Sequence, residues 1–498
     1  MAYLLDVPLE VLLHITSHLT TPEYGYLRRA CKQLEVLLFG AFAKEFFTKR
    51  QFSLTEFSIQ ALVDISKSRL GPSIEHLIIH LEHPHTAAYA DATSAIRLGV
   101  APRTMVQYNQ YYAESVSHTE FITTGLDVEM LSDAVKHLPN LETIGMRDFH
   151  SRNRHRDNTV WNSYGTVTLE KETGYKMELP YPTPSTLRRG PEYASYVFLT
   201  ILRAVGNGVV SGSNPKLTRM EVLLHTCTFR DLSFKIPDRF DASISSALKR
   251  FNVILLDNLS EETGYFHAAD SGDGTSSVLA SGYCLSRFLA KASALQHLRL
   301  NFQKYSPQST ERFLLWLAGA GQNPTGTAAN TMSSLASANA SGSLPTHFPP
   351  TPQSWDLKRI DIGMASVTED VLLSVYKRYK TTLRAISLHK ITLLPPAHTK
   401  ANLWAHLCNG MVKGELELEE LMLSDIRQSL RGRLTRYGEV TFEGNQRSKT
   451  WTGSAFSQAI KDITDEMVPS WNSGDSDADD DDYMDDDEGD LDSEEDDD

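Results

Sequence analysis

The sequence predicts an α/β chain: a short all-α unit at the start, a long body of alternating helices and strands in an irregular solenoid, and a disordered acidic tail. Three observations lead there. Two capped amphipathic segments fall within the first forty residues. Between residues 70 and 430 the pattern apolar-x-x-apolar-x-apolar returns eight times, usually just after a helical segment. Finally, 17 of the 63 Asp and Glu lie in residues 475–498, which hold no Lys or Arg.

With 498 residues, 41% apolar and 22% charged, the chain has room for several domains or for one elongated repeat domain with a large core. No run approaches 18 apolar residues, so no membrane span is expected. The start, MAYLLDVPLEVLLHI, carries Asp6, Pro8 and Glu10 where a signal peptide needs a basic stretch and a clean apolar core. The expected location is therefore the cytoplasm or nucleus. Cys31, Cys227, Cys284 and Cys408 form no C-x-x-C pair, which argues against a zinc module or disulfide scaffold and fits a reducing compartment. The net charge of −15 belongs to the tail; the rest of the chain is nearly balanced.

The first element begins at Asp6-Val7-Pro8-Leu9-Glu10, with Asp6 or Val7 as cap and Pro8 in the first turn, where its missing N–H costs nothing. Leu12, Ile15 and Leu19 then form one apolar face. A second helix starts at Thr21-Pro22-Glu23, with Thr21 as cap, and carries the stripe Tyr24, Leu27, Cys31, Leu34 and Leu38. Two such helices in forty residues cannot bury both faces alone, so a partner is expected.

Residues Pro8, Glu10, Leu12, Ile15, Leu19, Leu27, Cys31 and Lys32 resemble an F-box: an L-P-x-E-type opening, a helix closing on Leu, a Pro-initiated turn and a second helix with Cys-Lys. Val7 stands where the family usually has Leu, and Leu34 where many members carry an aromatic. The run LTTPEYGYLRRACKQLEVLLFGAF with KEFFTKRQF is similar to F-box proteins of filamentous fungi. The resemblance covers about a tenth of the chain. It implies docking, through Val7, Pro8, Leu9, Glu10, Leu12, Ile15, Leu19, Leu27, Cys31 and Lys32, onto a Skp-type adaptor and through it a cullin.

In the body the pattern falls at Ile74/Leu77/Ile79, Leu141/Ile144/Met146, Leu217/Met220/Val222, Leu248/Phe251/Val253, Leu295/Leu298/Leu300, Leu357/Ile360/Ile362, Leu383/Ile386/Leu388 and Leu418/Leu421/Leu423. Helical segments such as VEMLSDAVKHL and SRFLAKAS sit upstream, a short loop away. One step, Leu357 to Leu383, is 26 residues; the others are longer, so insertions interrupt the array. The pattern resembles the irregular leucine-rich repeats that follow an F-box in one class of receptors. An ordinary α/β domain with a parallel sheet fits the same periodicity.

Three stretches break the period. Residues 150–192, rich in Arg, Tyr, Thr and Pro, read as a long loop or hairpin; residues 267–282 as a flexible loop; residues 318–355 as a disordered Gly/Ala/Ser/Thr/Pro insertion. The expected division is 1–50 helical unit, 51–470 body and 471–498 disordered tail.

His76, His80, His83 and His85 cluster in HLIIHLEHPH, and in a strand His76 and His80 share a face. No carboxylate or Cys completes a metal spacing and H-E-x-x-H is absent, so surface histidines are expected and no cofactor is assigned. Gly206, Gly208 and Gly212 lack the spacing and the preceding strand of a phosphate loop, and no hydrolase, Walker or kinase signature is present.

Pattern leucines point inward, so the alternate residues form an outer face: His76, His80, Arg147, Arg219, Glu221, Arg250, Asn252, His297, Arg299, Asn301, Arg359, Asp361, His389 and Glu420. Two readings stay open there: a solvated strand face, or a basic strip in which Arg147, Arg219, Arg250, Arg299, Arg359 and His389 bind an acidic or phosphorylated protein. Nucleic acid is disfavoured by the acidic chain. The expected function is a non-catalytic substrate receptor of a ubiquitin ligase. The alternatives are an F-box scaffold outside a ligase, or an α/β enzyme with incidental N-terminal helices.

Overall fold

Three helices, rather than two, open the chain: α1 (Leu9–Ser17), α2 (Thr21–Ala30) and α3 (Lys32–Phe47). The structure, a computed structural model, describes residues 4, 7–84, 105–150, 156, 161–179, 190–210, 214–261, 282–319, 349–395, 402–429, 437–453 and 455–470. Pro8 itself precedes the first turn of α1, so the helix starts later than its sequence suggests. Thr20, not Thr21, precedes α2; its backbone N–H and its hydroxyl both donate to the Glu23 carboxylate, at 2.9 and 2.8 Å, as in a capping box. The chain then breaks at Cys31, which is extended (φ −155°) and whose thiol accepts the Leu34 N–H at 3.5 Å. The expected single stripe is folded over at that point. Tyr24, Leu34 and Leu38 thereby meet Leu12 and Phe46 in a small core of their own.

Eleven further helices among the described residues are α4 (Glu56–Ser66), α5 (Met105–Thr123), α6 (Leu126–Lys136), α7 (Thr166–Thr173), α8 (Gly190–Val210), α9 (Asp238–Leu248), α10 (Tyr283–Leu289), α11 (Pro307–Leu317), α12 (Glu369–Arg378), α13 (Leu403–Lys413) and α14 (Phe456–Glu466). The strands, in chain order, are β1 (Lys49–Ser53), β2 (His76–His80), β3 (Thr143–Arg147), β4 (Arg219–Leu223), β5 (Phe229–Arg230), β6 (Val253–Leu256), β7 (Leu259–Ser260), β8 (His297–Asn301), β9 (Arg359–Gly363), β10 (Ser366–Thr368), β11 (Ala385–His389), β12 (Thr392–Leu394), β13 (Glu420–Ser424), β14 (Arg427–Ser429), β15 (Tyr437–Thr441), β16 (Ser448–Thr452) and β17 (Val468–Ser470).

The architecture is mixed α/β. Ten strands form one sheet in the order β1-β2-β3-β4-β6-β8-β9-β11-β13-β16, each parallel to its neighbour except β16, which runs antiparallel to β13. Parallel neighbours need a crossover, and helices supply it between most successive strands. The register stacks Leu77, Ile144, Met220, Ile254, Leu298, Ile360, Ile386 and Leu421 in one row. A second row holds Ile79, Met146, Val222, Leu256, Leu300, Ile362, Leu388 and Leu423. Every one of these side chains is at most 2% exposed, and the helices seal them into one continuous core.

A structural repeat appears where strands end. After β6, β9, β11 and β13 the chain turns through Asn258, Met364, Lys390 and Asp425, each a non-glycine residue with φ between 48° and 54°. A short strand follows each turn; β10, β12 and β14 pair side by side, in parallel, in a second sheet, while β7 pairs with β5. Left-handed backbone is costly for such residues, so recurrence at equivalent positions marks a turn required by the geometry. At the C-terminal end β15 and β17 continue the second sheet antiparallel, and α14 packs against α13 and buries Phe456, Ile460 and Ile463.

Several expectations need correction. At the fourth pattern site the triplet is Phe251, Ile254 and Leu256 rather than Leu248, Phe251 and Val253, because Leu248 still belongs to α9 and Val253 turns away from the core. Arg250 and Asn252 therefore precede the strand and leave the outer face. Residues 150–192 are not all loop: Gly165 (φ 95°) and Gly174 (φ 74°) bracket α7, and the Tyr164 N–H donates to Gln51 O at 2.9 Å. The expected 318–355 disorder does not reach 349–355, where Trp355 is buried and donates to Ala292 O at 2.7 Å. Residues 320–348, 262–281 and 471–498, which include most of the predicted loops and the whole tail, lie outside the described residues. Against the expectation of no span, Tyr193–Val210 in α8 is long and apolar enough to cross a membrane, but Ala194, Val197, Phe198, Ile201, Leu202 and Val205 are buried in the core.

Candidate protein-binding surfaces

The ten adaptor-docking candidates divide between two environments. Leu12 is 1% exposed and central to the small helical core, with Leu19, Leu27 and Cys31 packed half-buried around it. Their role is to hold the three helices together. Pro8, Leu9, Glu10, Ile15 and Lys32 are exposed, and Val7 is half-buried. The expected face of Leu12, Ile15 and Leu19 is split because α1 buries Leu12 and Thr16, turning Ile15 outward. Val11, Tyr26, Val36 and Leu37, which the sequence reading passed over, join Leu9 and Ile15 as exposed apolar side chains. A unit this small leaves much apolar surface uncovered.

Two arginines tie the helical unit to the body. Arg69, following α4, pairs with Glu35 of α3, which Arg28 also meets at 3.0 Å. The Arg69 hydrogen bond holds the Glu35 carboxyl below its ordinary range. Arg156 enters from the insertion between β3 and α7. It donates to the Thr16 and Leu19 carbonyls (3.0 Å to the latter) at and just beyond the end of α1. It also donates to Glu45 Oε2 at 2.8 Å and lies 4.5 Å over the Tyr24 ring.

On the outer face of the main sheet the register aligns Arg219, His297, Arg359 and Glu420 in one row and Glu221, Arg299 and Asp361 in the next. Arg219 Nε donates to Glu221 Oε1 at 2.7 Å, while Arg147 Nη2 and His76 Nε2 stand 3.5 and 3.4 Å from Glu221 Oε2. Arg299 donates to Asp257 at 3.0 Å and Asn301 to the other oxygen at 2.8 Å. Arg359 donates to Asp361 at 2.9 Å and to both Glu420 oxygens, at 2.9 and 3.0 Å. His297 lies 2.7 Å from Asp361, and His389 3.8 Å from Asp425.

The expected basic strip is thus a ladder of alternating charges. Arg147, Arg219, Arg299, Arg359 and His389 share the face; Arg250 does not, and its guanidinium donates instead to Asn214 O at 2.6 Å. The frame shift at β6 put Arg250 on the wrong side and hid Asp257, whose carboxylate faces Arg299. Burial raises Glu221, but His76, Arg219 and Arg147 outweigh it and bring its pKa to about 2. Burial raises Asp257 to about 6 against the pull of Arg299. Asp361 and Glu420 together raise Arg359 despite its burial.

His80, expected at the surface, is fully buried, and His83 nearly so; His85 lies outside the described residues. Gly206 and Gly208 lie in the last turns of α8, and Gly212 lies outside the described residues.

No protein-family model matches the chain, and no curated protein matches it.

Proposed function

We propose that this chain is an F-box substrate receptor of an SCF-type cullin–RING ubiquitin ligase, with an irregular leucine-rich solenoid as its body. The observation that carries the reading is the N-terminal unit: three short helices with their own core and exposed Leu9, Val11, Ile15, Tyr26, Val36 and Leu37. The register-stacked apolar rows and the recurring left-handed turns support the repeat reading of the body. In this reading the helical unit holds a Skp-type adaptor and through it the cullin, while the outer sheet face holds a protein substrate. The receptor supplies position rather than chemistry, since ubiquitin transfer by proximity needs only rigid placement. It uses no cofactor, nucleic acid or membrane and works in the cytoplasm or nucleus.

Arg147, Arg219, Arg299, Arg359 and His389 are the proposed substrate contacts. An acidic or phosphorylated segment has to displace the resident carboxylates Glu221, Asp257, Asp361, Asp425 and Glu420 from them, whereas a segment carrying both signs can add to the ladder. A mixed-charge segment is the better fit.

Co-purification tests the reading. The full chain should capture the adaptor and the cullin, and Leu9→Glu with Ile15→Glu should lose both with an unchanged circular dichroism spectrum. Capture of adaptor without cullin points to a scaffold outside a ligase; no capture by the parent chain overturns the F-box reading.

A further inference from the structure

The loops leaving β2 and β3 bring three ligand-type side chains together. His80 is the last residue of β2, Glu82 lies two residues beyond, and His150 follows β3, whose Arg147 is the register partner of His80. His150 Nε2 stands 3.1 Å from each Glu82 carboxylate oxygen, and His80 Nδ1 is 3.6 Å from Glu82 Oε2. One ligand atom from each of the three residues lies within 4.8 Å of the others. Bonds of about 2.0–2.1 Å to a tetrahedral ion place neighbouring ligand atoms roughly 3.4 Å apart, so two of the spacings already match and the third needs a small closure.

The cluster is buried at its His80 end and open at its Glu82 and His150 end. His80 is 0% exposed, with a backbone hydrogen bond to Phe149. Its Nδ1 accepts the Glu82 backbone N–H at 3.1 Å, so an ion bound through Nδ1 takes the place of that hydrogen bond. Glu82 and His150 keep side-chain exposures of 20% each, which leaves a route for an ion. The Gln51 amide nitrogen lies 3.4 Å from His150 Nδ1 and donates to Ser163 Oγ at 2.9 Å. The His80 and His150 rings stack at 4.3 Å, so closing on an ion requires one of them to tilt.

We propose that His80, Glu82 and His150 bind a divalent late first-row transition ion, with zinc the best match. Two imidazoles and one carboxylate suit such ions and discriminate against magnesium and calcium, which prefer all-oxygen shells. The ion ties the exits of two adjacent strands and has a structural role; its fourth position is open to water. Glu82 stands two residues from His80 in the sequence, but the second imidazole, His150, lies 68 residues from Glu82, so no local spacing displays the set.

The test uses the full chain, stripped with a chelator and titrated with Zn2+ against a chromophoric competitor, and with Co2+ followed by its visible d–d absorption. His150→Gln and Glu82→Gln are the variants, since both side chains are partly exposed and their replacement leaves the buried His80 in place. The expected result is one tight equivalent of Zn2+ that raises the thermal midpoint, with affinity about tenfold or more lower in each variant. Co2+ spectra should show nitrogen ligation that His150→Gln weakens. Equal zinc affinity in parent and variants, or no saturable equivalent in the parent, overturns the proposal and leaves a hydrogen-bonded histidine stack. Calcium or magnesium competing at similar concentration also overturns it, because the tail carboxylates would then account for the binding.

Discussion

Arg219 donates through Nε to Glu221 Oε1 at 2.7 Å, two residues along the same strand and on the same face. Glu221 is 6% exposed, so this carboxylate is a buried charge held by Arg219 and Arg147. Its folded pKa, about 2, lies below the unfolded value of about 4.3. The stability it contributes is therefore complete above the unfolded value and is lost as pH falls from about 4 toward 2. Glu221→Gln should flatten the acid limb by up to roughly 2–3 kcal/mol. Urea denaturation at neutral pH, at pH 4 and near pH 2.5 measures it; parallel curves for parent and variant would contradict the assignment.

The division of the N-terminal residues predicts opposite phenotypes for neighbouring leucines. Leu12→Ala removes the centre of the small helical core and should cost about 2–5 kcal/mol, melting α1 to α3. Leu9→Ala changes an exposed side chain and should leave stability within about 0.5 kcal/mol. Amide hydrogen exchange across residues 9–47 distinguishes the two.

Arg156 joins α1 and α3 through the Leu19 carbonyl and Glu45. Arg156→Ala should raise exchange at the end of α1 by the equivalent of about 1–2 kcal/mol and leave exchange in β6 to β13 unchanged. Unaltered protection in α1 would show that the helical unit holds itself without the clamp.

Residues 320–348 and 349–355 should behave differently although both are Pro-, Ser- or Thr-containing. Replacing 320–348 by a short Gly/Ser linker should shift the thermal midpoint by only a few degrees, since loop closure depends weakly on length. Trp355→Ala opens a cavity beside Trp316 and removes the bond to Ala292 O, and should cost about 3–5 kcal/mol. Differential scanning calorimetry of the two proteins reads both effects.

Seven of the eight pattern triplets fall on the main sheet in their expected frame, because alternation of two apolar residues such as Leu298 and Leu300 is written locally and a strand has period two. The frame failed at Leu248/Phe251/Val253, where a helix end and a strand start both supply leucine-class residues and only pairing with Met220 selects Ile254. β1 escaped notice because Lys49 to Ser53 carries little periodicity; it is a strand through its pairing with β2.

Composition and local order were enough to establish the alternating α/β body, the capped helices at the start and the charge of the tail, since propensity, capping and alternation act over a few residues. Which leucines of the helical unit turn inward, which carboxylates neutralise Arg219, Arg299 and Arg359, and how His150 reaches Glu82 depended on contacts between residues far apart in the chain. A guanidinium on one strand meets a carboxylate just past the neighbouring strand, as Arg299 and Asp257 do, or two strands away, as Arg359 and Glu420 do, only after register has placed them 3 Å apart, and register is set by the buried rows beneath. Local sequence carries the residue types; the sheet decides their partners.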